Sequence, residues 1–195
     1  GLSEPYLFFP AAFWPHKNHD RLVEALDLLR NEYKLPVHTV LCGSKAGRIR
    51  QDRCRQIVDL VHDRDLEEHV RFLGYVPDEE MAALYAGSRL VADLSLFGTQ
   101  SVVVCEAWAV GRAVVAARIR GVREQVGDAG WLVDPLSVEE IAEGIRKLWT
   151  EPETRNRLAD RGTALHRAFS LSDFSARLAG ILKEAQARME SREES

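Results

Sequence analysis

Two segments of this chain carry side chains suited to holding a phosphorylated ligand. The first reads Pro10-Ala11-Ala12-Phe13-Trp14-Pro15-His16-Lys17-Asn18-His19 and follows a short apolar run. It places Lys17 where a helical pattern begins. A helix N-terminus already favours anions through its free N–H groups and its dipole. An ammonium beside it makes a diphosphate site. A solvated first-turn lysine gives the same sequence signal, although a cation there is mildly unfavourable. The second segment runs from Ser95 through Gly98-Thr99-Gln100-Ser101-Val102-Val103-Val104-Cys105 to Glu106-Ala107. Glu106 sits in an otherwise apolar helical stretch, and a carboxylate in such surroundings needs partners. Two ribose hydroxyls suit it, because a carboxylate accepts from both at once. A surface glutamate, or one capping a neighbouring helix, is the other reading.

Two more loops are candidates. Gly43 and Gly47 flank Lys45, with Arg48 and Arg50 nearby. This basic loop reads first as a turn. Gly43 fits either a strand-to-loop turn or a place where a ligand nears the backbone. Residues 70–73 run into Gly74-Tyr75-Val76-Pro77, which presents backbone groups to a nucleobase edge or is a connector with Pro77 opening a helix. The six histidines show no metal-ligand spacing: His16 and His19 are three apart, without a third ligand. No Gly-x-Gly-x-x-Gly, Walker loop or nucleophile elbow is present, which disfavours a nicotinamide dehydrogenase or a nucleoside triphosphatase.

These loops need a scaffold, and the apolar pattern supplies one. Short apolar runs at residues 6–9, 37–42, 70–73, 90–94, 113–116 and 131–133 read as strands. Helical patterns separate most of them. Asn18 is placed to cap the first helix, whose apolar face is Leu22, Leu26, Leu29 and Tyr33. Gly111 stops the helix that carries Glu106. Ser137 and Glu140 have capping-box spacing before a helix with Val138, Ile141, Ile145 and Leu148 on one face. Two further helical stretches reach about residue 188, and residues 190–195 form a polar, frayed tail. Strands that are apolar throughout imply a parallel sheet covered on both faces. The expected fold is therefore α/β: a doubly wound, mainly parallel Rossmann-like sheet of about six strands with helices on both faces. Ligands in such folds bind outside the carboxyl ends of the strands, where the four loops above lie.

Composition agrees with one domain over residues 1–189. The 195 residues suffice for a real core, and 46% apolar with 29% charged residues is ordinary for a globular protein. A net charge of −4 exerts no general pull on nucleic acid or an anionic membrane. Cys42, Cys54 and Cys105 form neither a metal-ligand pair nor a disulfide framework, which fits a reducing cytoplasm. There is no signal-peptide pattern and no apolar run of membrane-spanning length. The first strand begins almost at residue 1, which suggests a piece of something longer.

Taken in order, these segments resemble the C-terminal domain of retaining glycosyltransferases of the GT-B fold, group-1 type. The resemblance rests on Trp14 to His19, on Phe72-Leu73-Gly74-Tyr75-Val76, and on Glu106-Ala107 with Ala109-Val110-Gly111 and Val114-Val115-Ala116. Glu124, Gly127-Asp128-Ala129-Gly130, Val133-Asp134-Pro135 and Phe169-Ser170-Leu171 extend it over nearly the whole chain. It implies transfer of a hexosyl unit from a nucleotide diphosphate sugar with retention of configuration, with no cofactor and no metal. Lys17 would be the catalytic cation on the donor diphosphate. Glu106 would hold the ribose. The amides around Ser101, Val102 and Val103 would face the phosphates, and the backbone near Tyr75 and Gly43 would line the donor site. The acceptor site would lie on a missing N-terminal GT-B domain, so the isolated chain would be inactive. Two positions depart from the family. The glutamate usual eight residues before Glu106 is Gly98 here, and the basic residue usual five before Lys17 is Ala12. These departures admit an alternative, a catalytically degenerate module that binds a nucleotide or a protein. A third reading, a nucleotide-sugar epimerase fragment, requires Lys17 and Glu106 to be far apart.

Overall fold

The computed structural model describes residues 5–168 and 171–193. The strands are β1 (Leu7–Pro10), β2 (Thr39–Cys42), β3 (Val70–Gly74), β4 (Leu90–Asp93), β5 (Val114–Ala117) and β6 (Trp131–Val133). The helices are α1 (His19–Asn31), α2 (Arg48–Asp63), α3 (Asp78–Gly87), α4 (Val102–Ala109), α5 (Arg120–Val126), α6 (Val138–Thr150), α7 (Pro152–Ala168) and α8 (Leu171–Glu193), with a 3-10 turn at Pro15–Lys17.

All six strands are parallel, in the order β3-β2-β1-β4-β5-β6. This is a doubly wound, Rossmann-like sheet with its topological switch between β1 and β4. Successive strand residues face opposite layers, each with an apolar core. Leu7, Phe9, Leu90 and Ala92 pack with Leu22, Leu26 and Leu29 of α1 and with Ile141, Ile145 and Leu148 of α6. Phe8, Val91, Val114 and Ala116 pack with Tyr85 of α3, Val104 and Trp108 of α4, and Val122 of α5. Two buried faces explain why these strands are apolar without alternation.

The departures from expectation have local causes. Tyr33 is not on the core face of α1. The helix ends at Asn31, Lys34 takes a left-handed φ of 53°, and Tyr33 lies exposed under the Arg146 guanidinium. Helix α5 was not expected; it has seven residues, four of them Arg120, Arg123, Glu124 and Gln125, and buries only Val122 and Val126. One i,i+4 apolar pair is too short a pattern to read as a helix. Ser137 accepts from the Glu140 N–H as a cap should, but the Glu140 carboxylate turns instead to the Asp134 N–H and to Arg118. Helix α8 continues to Glu193, into the stretch expected as a frayed tail. Residues 169, 170, 194 and 195 lie outside the described residues, and with them the Phe169-Ser170 part of the family resemblance.

The loops at the carboxyl ends of the strands are laced together. The Ala11 N–H donates to Cys42 O at 2.8 Å, and the Gly43 N–H to Gly74 O at 2.8 Å. Between them the backbone of Ala11 passes directly over Gly43. A Cβ on Gly43 would stand 2.2 Å from the Ala11 oxygen. Glycine is therefore required by another stretch of the chain. His19, wholly buried, stacks on Phe13 at 4.6 Å and meets Phe9 edge-on, with Nε2 against Ala11 O at 3.3 Å. The imidazole is a neutral strut under the first loop.

This lacing has measurable consequences. Gly43→Ala destabilises the chain by about 3 kcal/mol, because backbone rather than a movable side chain blocks the methyl. Gly98→Ala, whose methyl would meet nothing nearer than 3.9 Å, stays within about 0.5 kcal/mol of the parent in urea unfolding. Burial pushes the His19 imidazole down to about 4, the Ala11 bond only partly opposing it. The unfolded chain therefore takes up a proton near pH 6.5 that the folded chain refuses until about pH 4. Stability is full above pH 6.5 and falls by about 3 kcal/mol toward pH 4 through this group. Urea unfolding from pH 7 to 4.5 should show a shallower loss in His19→Phe than in the parent; parallel curves would contradict the strut.

Candidate functional site

The site is built around the switch point. Asp93 ends β4 and is almost fully buried. Its Oδ1 accepts from the Ser95 hydroxyl at 2.5 Å and the Ser95 N–H at 3.2 Å, and its Oδ2 accepts from the Ser101 hydroxyl at 2.5 Å. Ser95 in turn accepts from Lys17 Nζ at 3.1 Å. Ser101 accepts from the Val104 N–H at 3.2 Å and so caps α4. One carboxylate thereby ties the lysine of the first loop to the N-terminus of the helix bearing Glu106.

Asn18 fixes the lysine from the other side. It occupies the N-cap position of α1 with a left-handed φ of 65°, but its side chain does not cap the helix. Its Nδ2 donates to Leu94 O at 3.1 Å and to Pro135 O at 2.7 Å, while its Oδ1 accepts from Arg21 at 3.0 Å. The residue read as a cap is thus a clamp joining the ends of three strand-loop connections. The Leu96 N–H adds a bond to His16 O at 2.8 Å.

Beside this network lies an open cleft of about 330 Å³. Gly43, Tyr75, Val102, Val103 and Glu106 all line it, with Ala12, Asp78 and Tyr85. Five of the seven residues singled out in sequence therefore share one cavity. Tyr75 and Val102 are strongly exposed, at 73% and 67%. The N–H groups of Val102 and Val103 stand in the first turn of α4, where a helix has no internal acceptors for them. Glu106 is exposed, with Oε2 accepting from the Tyr85 hydroxyl at 2.5 Å.

Lys17 and Ser101 do not line that cleft. Lys17 is half-buried and reaches the α4 N-terminus through Ser95 and Asp93. Ser101 is buried and its polar groups are engaged. Besides the two side-chain bonds, its N–H donates to Gln125 Oε1 and its carbonyl accepts from Gln125 Nε2, both at 2.8 Å. It mounts the helix rather than meeting a ligand with its side chain. Gly121 presses against Thr99, where an added Cβ would stand 1.8 Å from the Thr99 oxygen. The loop between β4 and α4 is held from below as well as from its ends.

His16 and His19 part company: His16 packs its ring on Phe97 at 4.4 Å, and His19 is in the core. Among the described residues no group of three or more His, Cys, Asp or Glu gathers as a metal site, and no helix is long and apolar enough to cross a membrane. Sequence reading missed Asp93, Tyr85 and the clamping role of Asn18. A carboxylate ending an otherwise apolar strand was the available signal for Asp93. Tyr85, one apolar residue in a mixed helix, gave none.

Chemically, the arrangement joins a cation, a helix N-terminus and an exposed carboxylate, the last two lining one cleft and the cation tied to that N-terminus through Ser95 and Asp93. The first two suit a polyanion, and the third suits hydroxyl donors. The close linkage of Lys17 to α4 removes the requirement of the epimerase reading.

The family model described as "Glycosyl transferases group 1" matches residues 2–164. O-antigen chain mannosyltransferase B of Escherichia coli is 30% identical over 165 residues, 85% of this chain and 42% of that protein. D-inositol 3-phosphate glycosyltransferase of Corynebacterium glutamicum (strain R) is 28% identical over 188 residues, 94% of this chain and 44% of that protein. The chain thus spans less than half the length of these curated relatives. HepE of Anabaena, solved in complex with UDP, superposes with a TM-score of 0.81 at 25% identity, over 92% of this chain and 49% of that one. The C-terminal domain of a group 1 glycosyl transferase from Francisella tularensis shares the fold with a TM-score of 0.73 at 22% identity, over 84% of this chain and 85% of that one. The chain belongs to the group 1 glycosyl transferase family and has the Rossmann-like fold of its GT-B members.

Proposed function

We propose that this domain holds the nucleoside diphosphate of an activated sugar and acts as the donor half of a hexosyltransferase. The observation that carries this is the tie from Lys17 through Ser95 and Asp93 to the N-terminus of α4, with Glu106 further along that helix. Lys17 and the amides of Val102 and Val103 would take the phosphates. Glu106 would take the ribose, and the backbone near Gly43 and Tyr75 would border the base.

In the reaction, the bond from the anomeric carbon to the diphosphate breaks and negative charge grows on the leaving oxygen. A fixed ammonium and fixed amides stabilise that charge more than the ground state, which is how they accelerate the step. Charge stabilisation of this kind needs neither a metal nor a cofactor. Retention of configuration is part of the proposal through the family resemblance. The acceptor would sit on a second domain, consistent with the share of the relatives that the chain spans. On that account the isolated chain binds donor nucleotide and transfers little sugar. The three free cysteines fit a reducing cytoplasm.

A second reading has its own observation. Ala12 lines the cleft without charge, and Gly98 leaves the β4–α4 loop without a carboxylate. A module with this cleft would bind a nucleotide or a protein without catalysing transfer.

Calorimetric titration with UDP, GDP and ADP separates the readings. The donor-site account expects saturable binding of one of them. It expects about a tenfold loss in Lys17→Ala and a similar loss in Glu106→Ala, each the removal of a charged hydrogen-bonding group. Absence of binding to all three by a folded sample would set the donor-site account aside.

A further inference from the structure

We propose that Tyr85 is a positioning residue that aims Glu106 at the two ribose hydroxyls, making the cleft selective for ribonucleoside over deoxyribonucleoside diphosphates; this rests on the donor-site reading above. Glu106 alone is a poor instrument for gripping a diol. It is exposed on the first turns of α4, and a free exposed glutamate samples several rotamers. The cost of fixing those rotamers would fall on ligand binding.

Tyr85 removes that cost. It lies near the end of α3 and is 2% exposed, with its ring held edge-on against Phe8 at 4.9 Å. The phenol borders the cleft, and its hydroxyl donates to Glu106 Oε2 at 2.5 Å. A hydroxyl that donates to a carboxylate makes a charge-assisted bond. The donor is rigid because the ring is packed in the core, so the acceptor is held as well. Among the described residues, Oε1 of Glu106 has no hydrogen bond. A carboxylate offers about four lone-pair sites, and the tyrosine takes one. Oε1 and the remaining site of Oε2 are left for a vicinal diol.

The surroundings keep the phenol protonated. Burial raises the Tyr85 phenol well above the ordinary tyrosine range, and the Glu106 bond and charge raise it further. Burial also pushes the neighbouring Cys42 thiol up to about 11, with the Glu106 charge adding to it. Cys42 is turned to Met81, its sulfur 3.7 Å from the thioether. Neither group becomes an anion near neutral pH, so Tyr85 remains a donor to Glu106.

Such a role makes a selective demand. Tyr85 should matter only for ligands that carry the hydroxyls and only while Glu106 is present. A merely structural tyrosine would affect all ligands alike. The test compares UDP with 2′,3′-dideoxy-UDP on this chain by calorimetry, or the corresponding GDP or ADP pair if that base is the one bound. The parent should prefer the ribose form by about tenfold or more. In Tyr85→Phe, which keeps the ring on Phe8, the preference should shrink to about threefold, with affinity for the dideoxy form unchanged within about twofold. In the Glu106→Ala background, Tyr85→Phe should change neither affinity. A Tyr85→Phe protein that retains the full preference, or that loses both ligands equally, overturns the positioning role while the donor site stands. A parent that binds both forms equally removes the ribose role of Glu106 and the inference with it. A parent that binds neither overturns the donor-site reading as well.

Discussion

The site depends on a buried carboxylate. Asp93 ends the central strand β4 next to the switch point, where the chain leaves the sheet in opposite directions. A carboxylate at such depth is tolerated only with donors around it. Here the donors are Ser95 and Ser101, and each also serves a neighbour. Ser95 receives Lys17, and Ser101 caps α4. The need of one buried charge for hydrogen bonds therefore sets the relative position of a cation and a helix N-terminus. Moving the helix would leave Oδ2 of Asp93 without its donor, and moving the lysine would break its bond to Ser95.

The sheet makes this economy possible. Its order puts β1 and β4 side by side, so the loops that follow them are neighbours although Lys17 and Ser95 are 78 positions apart. Asn18 adds a third loop by bonding Leu94 and Pro135 together, and the approach of Ala11 over Gly43 adds a fourth. The cleft is thus walled by loops that hold one another. A ligand entering it meets groups already in place, which is the condition under which charge stabilisation is effective. Tyr85 extends the same logic to Glu106 from the second layer of helices.

Much of this was legible in the sequence, and the reason is physical. A strand covered on both faces is apolar along most of its length, so all six strands showed themselves. Five of the seven candidate residues meet in one cleft, because a parallel sheet sends the loops after its strands to one end. What could not be read is what depends on partners distant in sequence. Asn18 stands at a helix start and reads as a cap; its bonds to Leu94 and Pro135 exist only once β4 and β6 are placed. Gly43 reads as a turn or a ligand contact, while the actual constraint is the backbone of Ala11. Ser101 reads as a residue facing the phosphates, while its bonds to Asp93 and Gln125 turn its side chain inward. Tyr33 fits the helical period yet lies past the end of the helix. Local pattern carries the elements, and tertiary contact decides the duties of single polar residues.

The most direct test of this account is an amide NMR titration of the chain with UDP, GDP and ADP. The account predicts that the nucleotide that binds shifts a contiguous set: Lys17, Gly43, Tyr75, Val102, Val103 and Glu106. Shifts centred elsewhere, for instance on Cys105, Leu165 and His166 around the separate cleft between α4 and α7, would contradict it, as would a spectrum unchanged by all three.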